Sequence, residues 1–228
     1  MIRIEKINRV SQGLSLVARP KARFSQISEK VSDIIDSISQ NGDRALRAIS
    51  LEIDGSFPSP LALDRRQLKS AGTRVDSALK EAIRVAIENI QRFHEAQLPA
   101  LVKTETMPGI ECWLRFEPIE RIGVYVPGGS APLLSTALMT LVPARVAGCC
   151  DICVCTPPGA PAELLYVLGL FEPIKVYQLG GAQAIAAMAL GTESIQRVDK
   201  VVGPGNAWVT EAKMQLAAKG LAIDMPAG

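Results

Sequence analysis

From Arg121 onward the chain repeats one unit four times: a short apolar run, a turn carrying glycine or proline, and a helical segment. The apolar runs are Arg121–Val126, Asp151–Thr156, Ile174–Leu179 and Lys200–Gly203, and a shorter one follows at Ala222–Met225. The helical segments between and after them are Ala131–Ala147, Pro161–Leu170, Ala182–Leu190 and Ala207–Lys219. Runs of this length that lack polar alternation want cover on both faces, and helices interleaved with them supply it. The alternation predicts an α/β fold whose last part, residues 121–228, is an open parallel sheet with helices on its faces and right-handed crossovers.

The first 120 residues read differently, as a helical N-terminal segment. Ile27, Val31, Ile34, Ile35 and Ile38 fall at helical spacing, and Asn41-Gly42 is a helix stop. Asp43 is expected to cap a short helix carrying Leu46, Ile49 and Ile53. Asp76 is expected to open the longest helix, with Leu79, Ala82, Ile83, Ala86, Ile87, Ile90 and Phe93 as its apolar stripe and Pro99 as its end.

In an open parallel sheet the ligand crevice lies at the carboxyl ends of the strands. Three loops there are unusual: Tyr125-Val126-Pro127-Gly128-Gly129-Ser130, Gly180-Gly181-Ala182-Gln183 and Gly203-Pro204-Gly205-Asn206. Glycine permits close backbone approach, and a helix start offers free N–H groups to an anion. Ser130 and Asn206 are placed as N-caps. Tyr125, Gln183 and Asn206 add a ring and two carboxamides to the same rim. A nucleotide with phosphates fits that inventory. The competing reading is that the glycines only make tight turns. The usual dinucleotide fingerprint is absent, and the second strand ends Cys155-Thr156-Pro157-Pro158 with no carboxylate for a ribose. A dinucleotide site built here is a non-standard one.

Composition narrows the function classes. Lys+Arg 25 against Asp+Glu 23 leaves a formal charge of +2, with no nucleic-acid or membrane footprint. The charged start is not a secretory signal, and the longest uncharged run, Ile122–Ala144, is broken by prolines and glycines. Five cysteines, four of them crowded between Cys149 and Cys155, point to a reducing cytoplasm. The cluster looks metal-binding, but Cys153 and Cys155 alternate with Ile152 and Val154 along a buried strand and read as small hydrophobes. The chain has one histidine, so no multi-histidine metal site is available within it. Gln91 and His94 share a helical face, which reads as structural. Asp199 and Glu211 read as solvated or paired, and the basic start (Arg3, Lys6, Arg9, Arg19, Lys21, Arg23) as a solvated or partner-facing arm.

Four stretches together resemble the histidinol dehydrogenase family: Arg121-Ile-Gly-Val-Tyr-Val-Pro-Gly-Gly-Ser-Ala-Pro-Leu, Leu179-Gly-Gly-Ala-Gln-Ala-Ile-Ala-Ala, Val198-Asp-Lys-Val-Val-Gly-Pro-Gly-Asn and Ala222-Ile-Asp-Met-Pro-Ala-Gly. The helix ending Gln91-Arg-Phe-His-Glu-Ala-Gln is similar to that family too. The resemblance implies a Rossmann-like, NAD-binding domain over residues 121–228, with residues 1–120 belonging to a larger domain. It implies NAD-dependent, zinc-containing oxidation of L-histidinol to L-histidine in two hydride transfers through an aldehyde. Tyr125, Gln183 and Asn206 match the family's NAD-contacting tyrosine, glutamine and asparagine.

The family's zinc ligands, its proton-moving glutamate–histidine pair and a substrate-contacting serine lie downstream of the last motif and have no counterpart here. The resemblance therefore implies the NAD-binding portion of such an oxidoreductase. This chain alone is expected to lack turnover, to pair with a second polypeptide supplying the missing half, and to form a homo-oligomer. The alternative is a non-catalytic nucleotide-binding or interaction protein that kept the fold.

Overall fold

The computed structural model describes residues 24–128 and 133–225. Ser130 and the basic start lie outside them. The elements in chain order are α1 (Phe24–Asp54), β1 (Ala62–Leu63), α2 (Arg65–Ala71), α3 (Ser77–Glu95), β2 (Val102–Met107), β3 (Ile110–Leu114), β4 (Arg121–Tyr125), α4 (Leu134–Val146), β5 (Asp151–Thr156), α5 (Ala162–Gly169), β6 (Lys175–Gln178), α6 (Gly181–Leu190), β7 (Lys200–Val202), α7 (Ala207–Ala218) and β8 (Ala222–Ile223). Each expected strand–turn–helix unit is present.

The main sheet has six strands in the order β1-β6-β5-β4-β7-β8. The five strands from β4 onward are parallel, and β1 adds an antiparallel edge against β6. The order steps outward in both directions from β4, so the carboxyl end of β4 is the point where the winding reverses, and crevices open at such points. Side chains alternate across the sheet. Ile122, Val124, Ile152 and Val154 enter a core with Leu68, Ile83, Leu138, Leu141 and Leu168. Tyr125, Cys153 and Cys155 face the other core, with Val31, Ile35, Leu46, Ile185 and Met188. Gly123 sits between them in sequence because a Cβ there would lie 2.8 Å from Met188 Sδ. The bare backbone lets α6 settle onto β4.

The helices of the first hundred residues pack on the helices that cover this sheet. α1 packs against α6 and α7, α2 against α5, and α3 against α4. α1 breaks at Gly42 (φ 50°, ψ −132°), where the Asn41-Gly42 stop is expected. Asp43 does not cap the second half, as the sequence suggests. Its backbone N–H instead donates to Glu193 Oε2 at 2.7 Å and its carboxylate accepts from Ser194 Oγ. A side chain held 150 residues away in sequence displaces the local cap. Asp76 behaves as expected: its carboxylate accepts from Leu79 N at 3.0 Å and starts α3.

The segment before β4 contains strand as well as helix. β2 and β3 form an antiparallel hairpin exposed along its whole length. Its turn holds Gly109 at φ 83°, and Val102, Thr104 and Thr106 supply the β-branched residues that favour strand. Val102 opposite Leu114 and Thr104 opposite Cys112 line one face. Lys103 opposite Trp113 and Glu105 opposite Glu111 line the other. One face is thus mainly apolar and uncovered among the described residues.

Candidate functional site

A cleft of about 1220 Å³ opens at the carboxyl ends of β4, β5, β6 and β7. Small-molecule sites commonly run about 300–1,000 Å³, so this one accommodates a ligand larger than a single nucleoside. Tyr125, Gln183 and Asn206 all line it, together with Pro127, Pro157, Gly180, Gly205 and Trp208. The three residues singled out from the sequence share one site.

Each is held by its neighbours. Tyr125 ends β4 and is only 4% exposed. Its phenol oxygen accepts from Gly181 N at 3.0 Å, which fastens the β4 tip to the start of α6. Burial raises its pKa above the usual value and the Gly181 bond partly offsets that. Gln183, in the first turn of α6, is 1% exposed. Its Nε2 donates to Asp54 Oδ2 at 2.9 Å. Asn206 caps α7 as expected: Oδ1 accepts from Trp208 N and Val209 N, both at 3.1 Å. The cap occupies the oxygen, and Nδ2 makes no hydrogen bond among the described residues.

The loop carrying Asn206 is clamped from below. Lys213, 4% exposed, donates to Gly203 O at 2.9 Å and pairs with Asp224 Oδ1. Asp224 Oδ2 in turn accepts from Gly203 N at 2.7 Å. Gly203 must be glycine: its φ is 117°, and a Cβ would fall 2.1 Å from Tyr125 O. Pro157 closes the opposite wall, where a Cβ on Gly180 would come within 2.9 Å of its ring.

Three helices begin at this cleft with N-cap residues whose own side chains make no capping bond among the described residues. Their N-cap positions are Leu133 for α4, Pro161 for α5 and Gly180 for α6. All three residues line the cleft. The positive ends of three helix dipoles converge there, with the first N–H of α6 already taken by Tyr125, and this favours an anion.

Sequence reasoning missed Asp54 and Lys213. Asp54-Gly55 after a helix reads as an ordinary turn, and nothing local says that α1 ends at the mouth of a distant cleft. Burial raises the Asp54 pKa, with the Gln183 hydrogen bond opposing the shift. Lys213 in mid-helix reads as solvated until the strand packing is known. The other candidates lie elsewhere. Cys153 and Cys155 are buried in the sheet, and Cys155 has its thiol pKa raised by the neighbouring Cys153 and by burial. Cys149 is half-buried and Cys150 exposed. Gln91 donates to Glu95, Asp199 pairs with Arg121, and Glu211 accepts from Gln215. Among the described residues no group of three or more His, Cys, Asp or Glu is placed to hold a metal ion.

The sequence matches the family described as histidinol dehydrogenase over residues 17–228. The chain belongs to the histidinol dehydrogenase family. It is 46% identical to a histidinol dehydrogenase of Pasteurella multocida (strain Pm70) over 219 residues, which is 96% of this chain and 51% of that protein. It is 45% identical over 220 residues to one from Salmonella typhimurium, covering 95% of this chain and 51% of the relative. The crystal structure of histidinol dehydrogenase from Elizabethkingia anophelis superposes with a TM-score of 0.89 at 38% identity, covering 96% of this chain and 52% of that one. The chain spans about half the length of the curated histidinol dehydrogenases it matches. The sheet and its helices are thus those of a histidinol dehydrogenase.

Proposed function

We propose that this chain is the NAD-binding portion of an enzyme that oxidises L-histidinol to L-histidine in histidine biosynthesis. The observation that carries the reading is convergence: Tyr125, Gln183 and Asn206 line one cleft into which three helix N-termini open. Residues 121–228 form the nucleotide-binding unit, and residues 1–120 contribute to a larger domain.

NAD, when bound, supplies the hydride acceptor. The chain's own residues bind and orient it. The helix starts at Leu133, Pro161 and Gly180 offer N–H groups to the diphosphate. Asn206 donates through Nδ2, its oxygen being spent on the α7 cap. Tyr125 holds the Gly181 backbone in place and gives the floor a flat apolar wall. Gln183 presents a carboxamide whose nitrogen is anchored on Asp54.

The residues present do not fit zinc, because the described part holds no cluster of metal-binding side chains. The described cleft lining also holds no histidine, lysine or arginine, and Asp54 is its one carboxylate. Alcohol oxidation needs a base and a group that polarises the oxygen as well as an acceptor. In this reading a second polypeptide segment supplies them, and the chain alone does not turn over. The uncovered apolar face of the β2–β3 hairpin supports association, with a further segment or in a homo-oligomer. No described helix is long and apolar enough to cross a membrane, which is compatible with a cytoplasmic enzyme.

The test has two readouts on the purified chain. Millimolar NAD should raise the melting temperature, since a ligand that binds only the folded state stabilises it by mass action. L-Histidinol with NAD should give no NADH above background. Absence of any NAD-dependent shift overturns the binding assignment, and robust NADH production overturns the division of labour.

A further inference from the structure

Dinucleotide sites on such sheets usually carry an acidic residue at the end of the second strand, where it accepts from the ribose 2′-hydroxyl and discriminates against a 2′-phosphate. Here that strand, β5, ends in Cys155-Thr156 and runs into Pro157-Pro158. The fold brings a carboxylate to the same cleft by another route. Asp54, the last residue of α1, lines the cleft within reach of the α6 start.

Two features set this carboxylate apart. It is placed against its own helix: α1 has no basic residue in its last turn, and a negative charge at a helix C-terminus is disfavoured. It is also half used. Oδ2 accepts from Gln183, and Oδ1 makes no hydrogen bond among the described residues. An ionised carboxylate only accepts, so the NH₂ end of Gln183 is the end that meets it. The cleft lining offers no arginine, lysine or histidine among the described residues to neutralise an added phosphate.

Resting on the NAD reading above, we infer that Asp54 is the specificity-determining residue of this cleft: it accepts from a ribose hydroxyl, anchors Gln183, and excludes 2′-phosphorylated dinucleotides. The negative charge repels a dianionic phosphate where nothing compensates it. The same acceptor oxygen suits a free hydroxyl.

The experiment is a calorimetric titration of the full chain with NAD and with NADP, in the wild type, Asp54→Asn, Asp54→Ala and Asn206→Ala. Asparagine keeps an oxygen for Gln183 and removes the charge. The wild type should bind NAD at least about tenfold tighter than NADP, since a full charge pair at contact distance in a partly solvated site is worth that much or more. Asp54→Asn should bring the two affinities within about threefold, chiefly by tightening NADP. Asp54→Ala should weaken NAD more than Asp54→Asn does, because Gln183 then loses its anchor. An undiminished NAD preference in Asp54→Asn, or equal wild-type affinities, overturns the inference while leaving the NAD site standing. If the wild type binds neither dinucleotide, or if Asn206→Ala binds NAD as tightly as the wild type does, the reading of the cleft itself fails and the role of Asp54 fails with it.

Discussion

The Tyr125 phenol accepts a hydrogen bond from the backbone N–H of Gly181 at 3.0 Å, joining residues 56 positions apart at the floor of the cleft. The bond takes the first N–H of α6 out of competition. Tyr125→Phe keeps the ring and strips the acceptor. A buried donor left unpaired costs about 1–3 kcal/mol. Urea unfolding should therefore show a lower midpoint with an unchanged slope, and NAD should bind more weakly as the α6 start loses its tether. An unaltered midpoint removes the structural role assigned to this bond.

Two tyrosines make stability sensitive to alkali. Burial raises the pKa of Tyr125 above 10, and it pushes Tyr177 up to about 12, helped by neighbouring Cys153 and Cys155. Both are held protonated by the fold. A group whose folded pKa is raised gives stability that is complete below its unfolded value and is lost as pH climbs towards the folded one. Stability owed to these tyrosines should thus hold up to about pH 10 and fall between 10 and 12. Urea midpoints at pH 8 and pH 11 check it. Tyr177→Phe should flatten the decline, although its hydroxyl also donates to Ser194 O at 3.0 Å and some stability is lost at every pH.

Lys213 and Asp224 together hold the Gly203 peptide from both sides. Removing one partner of a buried pair leaves the other charge uncompensated, at a cost of about 3–5 kcal/mol, less here because Asp224 is partly exposed. Asp224→Ala should destabilise the chain and loosen the loop that carries Asn206. Hydrogen exchange at Gly203, Gly205 and Asn206 should quicken more than exchange in α3, which is remote from the clamp. Uniform quickening across the chain would mean that the pair stabilises the fold without shaping the loop.

The parallel sheet was readable because strand runs, turns and helices repeat with little interference from tertiary contacts. All four units appear within a few residues of the expected bounds. That Tyr125, Gln183 and Asn206 line one cleft was readable for the same reason: each sits at a strand end or at the start of the helix that follows one, and strand ends of a parallel sheet share an edge. What escaped was set by distant partners. Glu193 and Ser194 engage Asp43 and override its local capping tendency. Asp54 reaches the cleft only because α1 packs along α6, and Lys213 is buried only because α7 covers a loop that follows β7. Two-residue β1 is too short to show any alternation at all. The hairpin hid inside a segment whose helices set the dominant rhythm.

Trp208 lines the same cleft as Asn206 and so reports directly on the NAD proposed to bind there. In a Trp113→Phe background Trp208 is the one remaining tryptophan. Titration with NAD should quench its fluorescence saturably, and Asn206→Ala should weaken that binding at least about tenfold, as expected where a lost side chain both caps the helix and donates to the ligand. A quench that never saturates, or one that Asn206→Ala leaves unchanged, would contradict the account.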